Sequence, residues 1–111
     1  LASMGRLDAA VLQLKKALEI KPGNQETLIN LGMTLALLRR ENEAEHSFKA
    51  ALIRKYDDAR IHYNLGLVSE RQGKTNEALF HYREALRIQP DFTASSKRLE
   101  MLLKSIKNAS Q

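Results

Sequence analysis

The chain has 111 residues, of which 43% are hydrophobic and 28% charged, with no cysteine and a formal charge of +5. That length holds one modest domain, and zero cysteines exclude disulfides, a thiol nucleophile and thiolate zinc sites without distinguishing cytoplasm from periplasm. No apolar run approaches the roughly 20 residues that span a bilayer, so no membrane insertion is expected, and the opening LASMGRL lacks the charged-then-apolar layout of a signal peptide.

The first 24 residues carry +2. Leu1 to Met4 read as the last turn of one helix. A second helix is expected to start near Asp8, with Ala10, Leu14 and Ala17-Leu18 at helical spacing until Lys21-Pro22-Gly23-Asn24 stops it. From Gln25 a helix is predicted to Leu38, followed by a turn through Arg39-Arg40-Glu41 and a second helix from Asn42 to about Lys55, running on as far as Tyr56-Asp57 because no proline stops it.

Residues 59–92 carry the sharpest punctuation. A helix from about Ala59 to Arg71 ends at Gly73, which supplies the left-handed position. The next, from about Asn76 to Ile88, is closed by Pro90. Asp57-Asp58 and Asp91 stand where helix capping prefers an acid. The last helix, Thr93 to about Asn108, lays Leu99, Leu102-Leu103 and Ile106 on one stripe, with Lys97, Arg98, Lys104 and Lys107 off it. This final stretch carries +3.

The same letters return every 34 residues. Asn64-Leu65-Gly66, Ala78, Tyr82 and Ala85-Leu86 repeat Asn30-Leu31-Gly32, Ala44, Phe48 and Ala51-Leu52, and two periods back Gly73, Ala78, Ala85-Leu86 and Pro90 find Gly5, Ala10, Ala17-Leu18 and Pro22. A fixed period of this size marks a repeat array. Gly32 and Gly66 sit inside helices, where glycine costs about 1 kcal/mol, so their recurrence implies packing, expected to be against Ala44 and Ala78 where the helices cross.

These residues resemble the tetratricopeptide repeat (TPR) family, whose unit reads W-x2-L-G-x2-Y, A-x3-F and P. Leu65-Gly66, Ala78, Tyr82 and Pro90 match, as do Leu31-Gly32, Ala44 and Phe48. His62 and Leu28 replace the Trp, Ser69 and Leu35 the Tyr, Arg39 the turn glycine and Tyr56 the proline. The resemblance implies an all-α, right-handed superhelical solenoid of antiparallel helix pairs. Two full repeats, 25–58 and 59–92, follow the second helix of a truncated repeat in 1–24 and precede a capping helix in 93–111. By this phase the array is entered in mid-repeat, so the apolar side of the first helix either meets preceding residues, stays partly wet or meets another chain, self-association through this helix being one such case. Glu100 falls where glycine stood in the earlier copies, as suits a polar cap.

No catalytic constellation assembles. His46, His62 and His81 lie on three helices without metal-ligand spacing and read as structural, and the glycines are too scattered for a phosphate loop. No cofactor is expected, and the chain reads as non-catalytic. The resemblance implies instead that the first helix of each pair lines a concave groove. There Asn30, Met33, Arg60, Tyr63, Asn64, Leu67, Arg71 and Arg98 are the candidate contacts, with Glu26, Ile29, Leu37, Ala94 and Lys97 beside them. Ile29, Met33, Leu37 and Leu67 read equally as packing between first helices.

Asn30 and Asn64 are equivalent by the repeat, and an asparagine amide both donates to and accepts from a peptide backbone. This is similar to the asparagine ladder of the O-linked N-acetylglucosamine transferase repeats. The Lys/Asn/Arg clamp of chaperone-binding TPR domains is matched only by Asn64 and Arg98, with Ile29 and Met33 where a Lys and an Asn are needed. The expected partner is thus a protein or peptide, acidic given the arginines. The alternative is a regulatory or substrate-recognition segment of a larger enzyme such as a glycosyltransferase. With three Tyr and three Phe, Phe48 and Tyr82 among them committed to packing, no stacking platform for nucleic acid is expected.

Overall fold

The computed structural model describes residues 2–110. Among them the chain forms the α-helices α1 (Ala2–Ile20), α2 (Gln25–Leu37), α3 (Glu41–Arg54), α4 (Ala59–Arg71), α5 (Thr75–Ile88) and α6 (Thr93–Ala109), and no strand. It packs as two units, one up to Asp57 and one from Asp58.

In the first unit α2 packs on both α1 and α3. Val11 of α1, Leu28, Leu31 and Leu35 of α2, and Ala44, Phe48 and Ala51 of α3 are buried. Gly32 owes its size to an aromatic ring rather than to Ala44: a Cβ there would stand 2.7–2.9 Å from three atoms of the Phe48 ring. In the second unit α5 packs on α4 and α6. Its core joins Ala78, Tyr82 and Leu102, with Tyr63, Leu67, Leu79 and Leu99 packed against them. Gly66 likewise lies under the ring of Tyr82.

The turn after α2 and the turn after α4 are the same turn. Leu38, Arg39 and Arg40 donate to the carbonyls of Thr34, Ala36 and Leu35 at 3.1, 3.0 and 2.9 Å. Gln72, Gly73 and Lys74 donate to Val68, Glu70 and Ser69 at 3.0, 3.0 and 2.8 Å. The six-to-one bond in each is that of a Schellman cap, which needs a left-handed residue. Gly73 takes it at φ 77, and Arg39 takes it at φ 61 in spite of its Cβ. The glycine is therefore replaced in sequence without being replaced in conformation.

Three local expectations are corrected. First, α1 is continuous through Gly5 and Asp8, with no helix start at Asp8. Gly5 does not take a positive φ, and a Cβ on it would meet nothing within 4 Å, so nothing bends the chain there and each added residue gains a helical hydrogen bond. Leu1 lies outside the described residues. Second, α3 stops at Arg54 with Lys55 extended (φ −156, ψ 103), short of Tyr56-Asp57. The Gln25 side chain supplies the stop that proline does not, donating to the carbonyls of Ala51 at 3.2 Å and Lys55 at 3.3 Å.

The third concerns capping. Asn24 and Asp58 are true caps, their side chains accepting from the backbone N–H of Thr27 and Arg60. Asp91 is not, since Phe92 occupies that place in α6 without a side-chain bond. Ser95 holds α6 instead: fully buried, its hydroxyl donates to the Tyr82 carbonyl at 3.0 Å.

Candidate functional site

On α4, Arg60, Tyr63, Asn64, Leu67 and Arg71 recur at steps of three and four, which puts them on one stripe. The opposite side supplies Ile61, Leu65 and Val68 to the interior. Arg60 and Arg71 are exposed, and Tyr63, Asn64 and Leu67 are half-buried. Tyr63 is held between two rings, its centroid 5.2 Å from Phe92 and 6.1 Å from Tyr82. Leu67 leans on the same cluster. These two form a firm apolar floor in which part of each side chain is spent on packing.

The polar members are positioned by their own helix. Asp58 Oδ1 accepts from the Arg60 backbone at 3.0 Å, and the Arg60 guanidinium returns to the same carboxylate at 3.1 and 2.8 Å. The cap thus fixes the arginine, neutralises part of its charge and leaves half its side chain exposed. Asn64 Nδ2 donates to the Arg60 carbonyl at 2.8 Å, which aims the amide along the stripe and leaves its oxygen as an acceptor.

Arg98 of α6 closes the stripe through a network centred on Glu70, which carried no sequence signal. Glu70 Oε1 accepts from Arg98 Nη2 at 3.0 Å and from the Tyr82 hydroxyl at 2.5 Å. Glu70 and Arg98 are 28 residues apart, and only the packing of α4, α5 and α6 brings them together. Burial, and then the hydrogen bond to Glu70, push the Tyr82 phenol above its ordinary value, against a smaller opposing pull from Arg98. Tyr82 therefore stays a neutral donor, Glu70 anchors Arg98, and the guanidinium is held in place with 37% of its side chain exposed.

In the first unit, Asn30, Met33 and Leu37 lie on one exposed side of α2, and the Asn30 carbonyl accepts from the Thr34 hydroxyl at 2.8 Å. Ile29 is only 2% exposed and belongs to the packing. On α6, Ala94 and Lys97 are exposed.

Two histidines that share no sequence motif do meet. His62 Nδ1 and His81 Nδ1 are 3.1 Å apart, with ring centroids at 5.4 Å and His62 fully buried. His81 also meets the edge of Phe80. Among the described residues no three His, Asp or Glu side chains are placed to hold a metal ion, and no helix is long and apolar enough to cross a membrane.

Comparison with known proteins agrees with this architecture. Sequence profiles described as tetratricopeptide repeat match residues 59–92 and 1–66. Over 65 residues the chain is 31% identical to the mouse (Mus musculus) protein O-mannosyl-transferase TMTC1, a match that covers 59% of this chain and 7% of that protein. The crystal structure of MamA superposes with a TM-score of 0.87 at 24% identity, over 96% of this chain and 62% of MamA. The first TPR of Spaghetti (RPAP3), solved bound to the HSP90 peptide SRMEEVD, superposes with a TM-score of 0.88 at 18% identity, over 95% of this chain and 83% of that one. The two helix pairs, their 34-residue register and the profile matches lead to one statement: the chain belongs to the tetratricopeptide repeat family.

Proposed function

We propose that the chain is a non-catalytic protein-interaction module that takes an extended peptide or partner helix along the exposed stripe of α4, with Arg98 at its edge. Asn64 pairs with the ligand backbone, Tyr63 and Leu67 give the apolar floor, and Arg60, Arg71 and Arg98 favour acidic side chains. Asn30 and Met33 on α2 offer a second contact surface of the same kind in the first unit.

The observation that carries this reading is the combination on one stripe of a fixed amide, a half-buried aromatic floor and positioned guanidinium groups. A fold neighbour solved with an acidic peptide supports it. Peptide-array binding followed by fluorescence anisotropy tests it. Asn64→Ala is expected to weaken binding roughly fivefold, for about 1 kcal/mol per lost hydrogen bond, and Arg60→Glu to weaken acidic ligands more than neutral ones. Unchanged affinity in both variants, with unchanged helicity, would remove the stripe from the account.

A second reading is favoured by the partial match to a transferase: a substrate-recognition segment of a larger glycosyltransferase. The translated gene around this segment decides it. An adjoining transferase domain supports this reading, and an open reading frame without one rejects it.

A further inference from the structure

A cleft of about 330 Å³ opens in the first unit between α1, α2 and α3, lined by Lys15, Leu31, Leu35, Asn42, Glu43, His46 and Ser47. It is separate from the surface assigned to peptides. On α2, Leu31 and Leu35 lie about 100° and 140° around the helix from Asn30. The size falls at the lower end of ligand clefts, which run from about 300 to 1,000 Å³. Its floor is apolar, made by Leu31 and Leu35, both nearly buried, and its polar groups sit at the rim.

The rim is charged. Glu43 is the acid among its lining residues, and Arg40 already grips both of its oxygens at 2.5 and 2.8 Å. That hydrogen bond holds the Glu43 carboxyl below its ordinary range, with a further contribution from the charge of Lys15. Arg40 also faces Asp8 at 4.0 Å, so the charges around the mouth balance, but both oxygens of Glu43 are taken by Arg40, and Lys15 is the cation among the lining residues themselves. His46 adds an exposed imidazole to the same lining, and Ser47 is nearly buried there.

We propose that this cleft binds a small amphipathic monocarboxylate, its apolar body lying on Leu31 and Leu35 and its carboxylate meeting Lys15 and His46. A cationic head group would face Lys15, with both oxygens of Glu43 already taken by Arg40, and is disfavoured. A neutral one would forgo the charge-assisted hydrogen bond, the stronger kind.

The probe is 4-phenylbutanoate, titrated into the ¹⁵N-labelled chain, with 4-phenylbutylamine and 4-phenylbutanol as matched cationic and neutral controls. The expected result is a saturating shift confined to amides at Leu31, Leu35, Asn42, His46 and Ser47, tightest for the carboxylate. Lys15→Met, a change at an exposed position that leaves the floor intact, weakens it about tenfold. Lys16→Met, next along α1 and not at the rim, leaves it unchanged. Amine and carboxylate binding equally, equal affinity in Lys15→Met and wild type, or shifts spread along α4 and α6 would each overturn the proposal. Shifts along α4 and α6 would assign the carboxylate to the arginine stripe instead.

Discussion

Gly66→Ala adds one methyl group to the centre of the second unit, and its outcome follows from what that carbon meets. A Cβ at Gly66 would lie 2.6 Å from Tyr82 Cδ1, nearer still to Cε1 and 3.0 Å from Cζ. The ring has no room to retreat, being fully buried with its hydroxyl tied to Glu70 and its backbone carbonyl to Ser95. Overpacking of this kind costs about 1–3 kcal/mol, and a pinned ring belongs in the upper half of that range. Exchanging glycine for alanine in a helix returns about 1 kcal/mol, so the net expectation is a loss of roughly 1–2 kcal/mol.

Urea unfolding followed by circular dichroism at 222 nm reads it, with Gly5→Ala as the internal reference. Gly5 is also helical, but a Cβ there meets nothing within 4 Å, so the same substitution is expected to stabilise by about 0.5–1 kcal/mol. Combining Gly66→Ala with Tyr82→Leu, which removes the obstructing ring, should recover part of the loss as a coupling of about 0.5–3 kcal/mol. If Gly66→Ala alone matches or exceeds wild-type stability, close approach to Tyr82 is not why the glycine is there.

Other perturbations probe the remaining assignments. Arg39→Gly is expected to raise stability by about 0.5–1 kcal/mol, because it relieves a non-glycine residue at φ 61 in a turn whose twin uses glycine; urea midpoints compare the two. Asp58→Ala removes the side-chain acceptor of the Arg60 N–H and should cost about 1 kcal/mol, with amide exchange rising first in the opening turn of α4.

The raised Tyr82 phenol gives an alkaline dependence. Its folded value lies above the ordinary 10.0, so its contribution to stability is complete below about pH 10 and is lost as pH climbs from there toward the folded value. The check is the stability of wild type minus Tyr82→Phe between pH 8 and 11, which should be flat at first and then fall. A difference that grows with pH would contradict the sign.

The period placed α2 to α6 to within a residue or two of their observed starts, because each copy carries its own apolar spacing, though it missed the start of α1. Gln25–Leu37 and Ala59–Arg71 fall within a residue of expectation. Small residues at Gly32 and Gly66 announced close contact, and the aromatics at Phe48 and Tyr82 were legible as core. The family resemblance chose the stripe from Arg60 to Arg71, and helix geometry only says that those residues share a face.

What fills a contact, and which polar groups meet, is a matter of distances across helices that no spacing within one helix encodes. Thus the glycines turned out to clear rings rather than alanines, and Gln25 proved to stop α3 from 26 residues away. Arg98 was expected to face a ligand, yet it spends part of its guanidinium on Glu70. The meeting of His62 with His81 and the cleft under Lys15 exist only because separate helices pack. Local pattern decides which residues turn inward, and tertiary packing decides which neighbour each one finds there.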